Sequence, residues 1–483
     1  MLQFCQYGTV QGGDALLLSL LRQRLSPCGS SKNEPKAATS PHPAMRFHSL
    51  DGLRGLAALS VVVHHYAATF FPHAVYGAQN ASGSQWQDML SRSPLFVLYS
   101  GSFSVFVFFV LSGFVIASSA ASTRVPLLLL VGRRYARLTV PALCSTLAVY
   151  FLLKIFPDVT QEAARLLESR WLTGSYAHTP TLFQAMWDAV FNPYRFGDSY
   201  SNRVLWTMRN ELFGSLGIYC IYLLVPRNYI SSALACIFVA LIPLDALTGF
   251  LGFAGGALLF QAWSKQLIRP SMLGPVLALA GLILGGLPVQ SPDGTIFGPI
   301  VAIVSTFSSP FEFILGLAAL TFVAGILMWL EALRVLEWSV FRFLGRISFS
   351  LYLIHYPILA TVILYWFLQP TFFPMQFAAL SIGYFCLSIL SAYGLTILVD
   401  EPTVNKLKRA ASLPKSFAFF VGHAAVLACL LVFAIFRLGP DLLSLLVMAI
   451  AYSGFFIVAP TVVLSYASPA KVEKPQSPSS HYS

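Results

Sequence analysis

The sequence predicts an all-α protein: a polytopic transmembrane helical bundle of about 10–12 spans with both termini cytosolic. The first observation is bulk hydropathy. Of 483 residues, 57% are hydrophobic and 10% are charged, against about 25% charge in soluble domains, and the mean hydropathy is +0.71. The second is segmentation. Apolar runs long enough to cross a bilayer occur near 50–71, 96–120, 138–156, 206–226, 230–246, 248–264, 272–289, 310–330, 347–367, 376–399, 417–437 and 442–465. The third is charge placement. Arg46, the Arg133/Arg134/Arg137 group, Arg227, Lys265, Arg269, Arg334, Arg342, Arg346 and Lys406 to Arg409 fall on one side of the alternating runs. That side is the cytosolic one by the positive-inside rule.

Net charge is +11. Because the cations sit between apolar runs, they read as topology signals and phosphate contacts. The expected partner is therefore the lipid bilayer, with no nucleic acid. Seven cysteines show no CxxC or Cys/His spacing, so neither a disulfide framework nor a metal site is expected.

Residues 1–45, rich in Ser, Pro and Lys, read as a disordered cytosolic tail. The first run, SLDGLRGLAALSVVVHHY from Ser49 to Tyr66, opens on Asp51-Gly52 and Arg54 and ends on His64 and His65. Ionisable residues inside a span are costly, and by default they mark function. Arg54 and His65 are eleven residues apart, so they share a helix face about 16 Å apart along the axis. His64 is rotated about 80° from that face, which favours His65 as the working residue. The sequon Asn80-Ala81-Ser82 falls in an expected outside loop.

The second run holds Ser112-Gly113-Phe114, small residues suited to close helix packing. Arg133, Arg134 and Arg137 then cluster by their i, i+3 and i+4 spacing. They suit membrane anchoring, and they equally suit a clamp on phosphate oxygens. Residues 157–205, expected outside, are rich in aromatics. LFQAMWDAVF within them has amphipathic spacing, read as interfacial aromatics or as a lid facing the acceptor. Trp206, Asn210 and Glu211 enter the start of the fourth run, where a carboxylate faces a partner or a water-filled cavity. Ser348, Tyr352 and His355 stripe one helix face at offsets of four and three. Glu331, Arg334, Glu337 and Arg342 read as a solvated face.

Several of these phrases together resemble the acyltransferase 3 family of integral membrane O-acyltransferases. They are LDGLRGLAALSVVVHH, Ser112-Gly113-Phe114, the basic run before Pro141, Trp206-Thr207-Met208 leading to Glu211, Ser348 to Pro357, and the acidic ending Asp400-Glu401-Pro402. The resemblance spans roughly 47–405. It implies a membrane acyltransferase domain over 46–410, with two extra C-terminal transmembrane helices over 411–466 and a disordered tail over 467–483 outside it.

It also implies an acyltransferase moving an acyl group, acetyl among the candidates, from acyl-CoA to a hydroxyl of a small molecule or glycan. The implied catalytic residues are His65 and Glu211. Arg54, Arg133, Arg134 and Arg137 would hold the acyl-CoA phosphates, and Trp206, Asn210, Ser348, Tyr352 and His355 would line the substrate cavity. No metal is implied. The alternative reading of the same polar residues is a proton-coupled transporter or acyl-group channel without its own chemistry. Against it, no internal repeat relates 50–230 to 270–465.

Overall fold

The computed structural model describes residues 47–77, 84–122, 125–242, 248–289, 292, 294–305, 309–370 and 375–409. Both tails, the sequon at Asn80 and the apolar runs 417–437 and 442–465 lie outside the described residues. What is described is helical, with no strand among those residues.

The main helices are α1 (His48–Phe70), α2 (Gly101–Ser122), α3 (Leu127–Ile155), α4 (Thr207–Leu224), α5 (Ile230–Leu241), α6 (Thr248–Ser264), α7 (Leu273–Gly285), α8 (Pro310–Met328), α9 (Ser339–Ile358) and α10 (Gln376–Leu395). They correspond in order to the first ten apolar runs. Five helical stretches are at least 18 residues long and apolar enough to cross a bilayer: Gly101–Ser122, Leu127–Ile155, Pro310–Met328, Ser339–Phe367 and Gln376–Lys408. The runs at 230 and 272 form shorter helices. Their 12 and 13 residues rise about 18 and 20 Å, short of a hydrocarbon core of about 30 Å.

Backbone contact at glycines sets the arrangement around α1. A Cβ added at Gly55 would sit 2.5 Å from the Gly345 nitrogen, one at Gly345 would sit 2.3 Å from the Asp51 carbonyl, and one at Gly52 would sit 2.2 Å from the Leu336 carbonyl. Apolar helices in lipid associate where small residues let backbones touch. The α1/α9 contact starts at Gly55 and Gly345, and both helices then run ten residues onward in the same direction. The same rise of about 15 Å along each helix carries His65 and His355 to the same height. α2 and α6 are joined in the same manner, with Gly113 against the Phe253 carbonyl and Gly256 against the Val110 carbonyl.

Replacing Gly55 with valine is therefore expected to destabilise the protein by about 1–3 kcal/mol or more, because the clash is with backbone and cannot be relieved by a rotamer change. Gly217, on α4, has nothing within 4 Å of an added Cβ. Gly217→Ala should be neutral, or stabilising by up to about 1 kcal/mol through helix propensity. Thermal unfolding of the two variants in detergent measures the contrast, and equal melting temperatures would refute it.

Proline punctuates α9. Pro357 has no N–H to give the Leu353 carbonyl, and the helix widens into a π turn at Leu359–Ile363 before ending at Phe367. The freed Leu353 carbonyl accepts from Asn202 Nδ2 at 2.8 Å. Asn202 belongs to residues 157–206, which link α3 to α4.

This connection does not stay beyond the end of α3, where the sequence reading put it. Tyr135 donates to the Val190 carbonyl at 2.7 Å, Thr139 bonds the Tyr194 hydroxyl at 2.8 Å, and Asn202 Nδ2 reaches Ser145 Oγ at 3.1 Å. The connection thus folds back along α3, over a helix length of about 30 Å between Tyr135 and Ile155. The buried carboxylate of Asp188 holds its shape, accepting from Asn192 Nδ2, Ser199 Oγ and the Tyr200 and Ser201 amides at 2.6–3.3 Å. A buried polar knot of this kind is stable only because the carboxylate is fully partnered. Leu182, Phe183, Met186 and Trp187 stay exposed on the outer face of this segment's helix, as the amphipathic spacing of LFQAMWDAVF requires.

Candidate functional site

Two polar clusters lie along α1, one at each end of the Arg54–His65 face.

The upper cluster is a histidine pair. His65 Nδ1 lies 2.8 Å from His355 Nε2, and His355 Nδ1 lies 2.9 Å from the Leu351 carbonyl. A carbonyl only accepts, so His355 carries its proton on Nδ1 and, when neutral, accepts at Nε2. His65 must then donate from Nδ1, which leaves the lone pair on His65 Nε2. His355 is completely buried, whereas His65 is half-buried. The Trp171 ring stacks on His65 with centroids 5.3 Å apart, and Tyr356 lies 5.7 Å away. His64 takes no part in this pair. It donates from Nδ1 to the Tyr99 carbonyl at 3.0 Å, and its ring fills the space above Gly101, where a Cβ would come within 2.7 Å.

The lower cluster is built on Glu211. One carboxylate oxygen is paired with Arg134, and the other accepts from Ser112 Oγ at 2.8 Å. Arg54 pairs with Asp51 at 3.2 Å and lies within electrostatic reach of both Glu211 and Arg134. Arg137 faces Asp400 in the same way. Arg133 differs from its neighbours. It lies within electrostatic reach of the Tyr219 hydroxyl, and its buried Nε and Nη2 bond to nothing among the described residues; Arg134 Nε is buried and unpartnered too. Buried guanidinium donors are costly to leave unmade, and their planar fork suits phosphate or carboxylate oxygens.

The sequence-derived candidates therefore separate into distinct groups. His65 and His355 come together. Arg54, Arg134, Arg137 and Glu211 form the second cluster with Arg133 beside them, so Glu211 is not brought to His65. Tyr352 lies between, its hydroxyl donating to the Val204 carbonyl at 2.8 Å and accepting from Thr207 at 3.2 Å. Ser348 turns its hydroxyl back to the Gly345 carbonyl in its own helix at 2.9 Å. Asn210 packs against Gly249, and Trp206 sits exposed beside Phe109. Among the described residues, no group of three His, Cys, Asp or Glu side chains could hold a metal ion.

Sequence reasoning placed Trp171 only among the aromatics of a membrane belt or acceptor-facing lid, and it passed over Tyr356 and Asn202 as site residues. For Asn202 a signal existed: Pro357 in an apolar helix leaves the Leu353 carbonyl needing a donor. Nothing local says which residue supplies it.

The arrangement offers an imidazole lone pair under an aromatic cover, Arg54 about 16 Å away along the same helix, and unmatched guanidinium donors on Arg133 and Arg134 of α3. A family model described as an acyltransferase domain matches residues 47–397, which include both clusters. No curated protein and no solved structure matches the chain.

Proposed function

The chain belongs to the acyltransferase 3 family, and from that premise we propose that this membrane-integral acyltransferase moves an acyl group from acyl-CoA to a hydroxyl of a small molecule or glycan, with His65 as general base. The observation that carries this reading is the His65–His355 hydrogen bond, because the tautomer it dictates leaves His65 Nε2 as the basic nitrogen.

The reaction needs three things: a base for the attacking hydroxyl, a site for the donor's phosphates, and a path between them. His65 Nε2 takes the proton as the hydroxyl oxygen attacks the thioester carbonyl. The imidazolium keeps its Nδ1–H on His355, which fixes the ring's orientation. When the tetrahedral intermediate collapses, the C–S bond breaks and the coenzyme A thiolate recovers the proton from His65. The products are the ester and the free thiol.

The donor's phosphates would lie at the cytosolic mouth against Arg133, with Arg54 and Arg137 beside it. Arg134, already paired with Glu211, would hold the wall of that site. The pantetheine arm would run up the α1 face toward His65, a path of about 16 Å. Glu211 then serves the guanidinium cluster and does not orient the base.

Mass spectrometry of small molecules and glycans from cells with and without the gene tests the reaction. The expected result is loss of a species one acyl increment heavier than a retained hydroxyl compound. Identical profiles, in cells shown to make the protein, would refute the assignment.

A further inference from the structure

Above the histidine pair, the connection between α3 and α4 carries a cation that the donor site does not use. We propose that Arg203 is the anchor for an anionic group on the acceptor, so that the hydroxyl compound acylated here bears a carboxylate, phosphate or sulfate. This rests on the reading of His65 as the base that meets the acceptor.

Three observations carry it. First, Arg203 is exposed, and no carboxylate pairs with it among the described residues, although it is built into the cover of the site. Its Nη1 donates to Ser175 Oγ at 3.2 Å, and the same oxygen accepts from the Tyr356 hydroxyl at 2.6 Å. The Tyr356 ring in turn contacts both His65 and Trp171, so two hydrogen bonds and one ring join Arg203 to the base.

Second, the backbone makes room for it. A Cβ at Gly174 would lie 3.0 Å from Arg203 Nη1. The stretch bearing Trp171, Gly174 and Ser175 is bracketed by two non-glycine residues in left-handed backbone, Glu168 (φ 48°) and Tyr176 (φ 52°). Such conformations are unfavourable for residues that carry a side chain and persist where the surroundings impose them.

Third, the Tyr176 hydroxyl, on a side chain 4% exposed, is buried without a hydrogen-bond partner, and it lies within electrostatic reach of Arg203 and Tyr356. A cation without a carboxylate partner and an unmatched hydroxyl within its electrostatic reach suit an oxyanion ligand better than a neutral one. The donor's own phosphates do not explain this site, because the guanidinium cluster that suits them lies at the opposite end of the α1 face.

The test uses the full chain in detergent or nanodiscs with labelled acyl-CoAs, from acetyl-CoA to long-chain acyl-CoA. The acceptor is the small-molecule and glycan extract of the source cells, split on an anion exchanger at neutral pH into retained and unretained pools. Label should pass to the retained pool. Arg203→Gln should lower kcat/KM for that pool by about 10–100-fold, leave the KM for acyl-CoA unchanged, and be partly rescued by Arg203→Lys. A purely structural arginine would instead lower turnover without shifting the KM for the acceptor pool. Transfer to the unretained pool, or an Arg203→Gln enzyme that uses the retained pool like the wild type, overturns the anchor while the reaction stands. No transfer to either pool overturns the reaction itself, and the anchor with it.

Discussion

His65→Ala should lower turnover by about 10²–10⁴-fold, the usual contribution of a positioned general base, while acyl-CoA still binds. His64→Ala should retain substantial activity. The two residues are adjacent and of the same type, so the contrast rests on geometry alone. His65 Nδ1 is held by His355, which leaves the lone pair on Nε2. His64 is turned to the Tyr99 carbonyl and fills the space over Gly101. Its loss leaves one carbonyl without a donor and a small void, a stability cost of about 1–3 kcal/mol rather than a chemical one. Single-turnover transfer, with acyl-CoA binding measured on the same preparations, separates the two. Equal losses at both positions, or an active His65→Ala enzyme, would remove His65 from the role of base.

Arg133→Ala is expected to raise the apparent KM for acyl-CoA by about 10–100-fold with little change in kcat, because it removes a charge-assisted contact to a phosphate and no protein–protein ion pair. Arg134→Ala should behave differently. Glu211 would lose its ion-pair partner while its side chain stays only 13% exposed. Removing one partner of a buried pair destabilises by about 3–5 kcal/mol, and the residual exposure together with the Ser112 bond places this case near the lower end. Steady-state kinetics over a range of acyl-CoA, with the melting temperature of each variant, distinguishes the two outcomes. An Arg133→Ala enzyme with an unchanged KM would place the donor's phosphates elsewhere.

Much of the fold was legible because lipid leaves a chain few options. A run of apolar residues in a bilayer must satisfy its own backbone, and a helix does so. Ten of the apolar runs accordingly mark the ten main helices in order. Their lengths were less legible. Run 272–289 reads as a full span and run 230–246 as one short half of the pair 230–264; the helices close at Gly285 and Leu241. The return of residues 157–206 along α3 was not legible at all, because it depends on side chains such as Asp188 and Asn202 finding partners far along the chain.

The site divides in the same way. By itself the sequence determined which residues are too polar for an apolar helix without a purpose, and it determined the Arg54–His65 face, because helical rise and twist are local properties. It also placed glycines at 52, 55 and 345, but glycine alone does not name its neighbour. Only the tertiary structure decided that Gly55 meets Gly345, that the ten equal steps beyond this contact set His355 against His65, and that Glu211 pairs with Arg134 and not with His65. Those are statements about register between helices. Register is set by where two backbones can approach within contact distance, a property of surfaces hundreds of residues apart that no local period encodes.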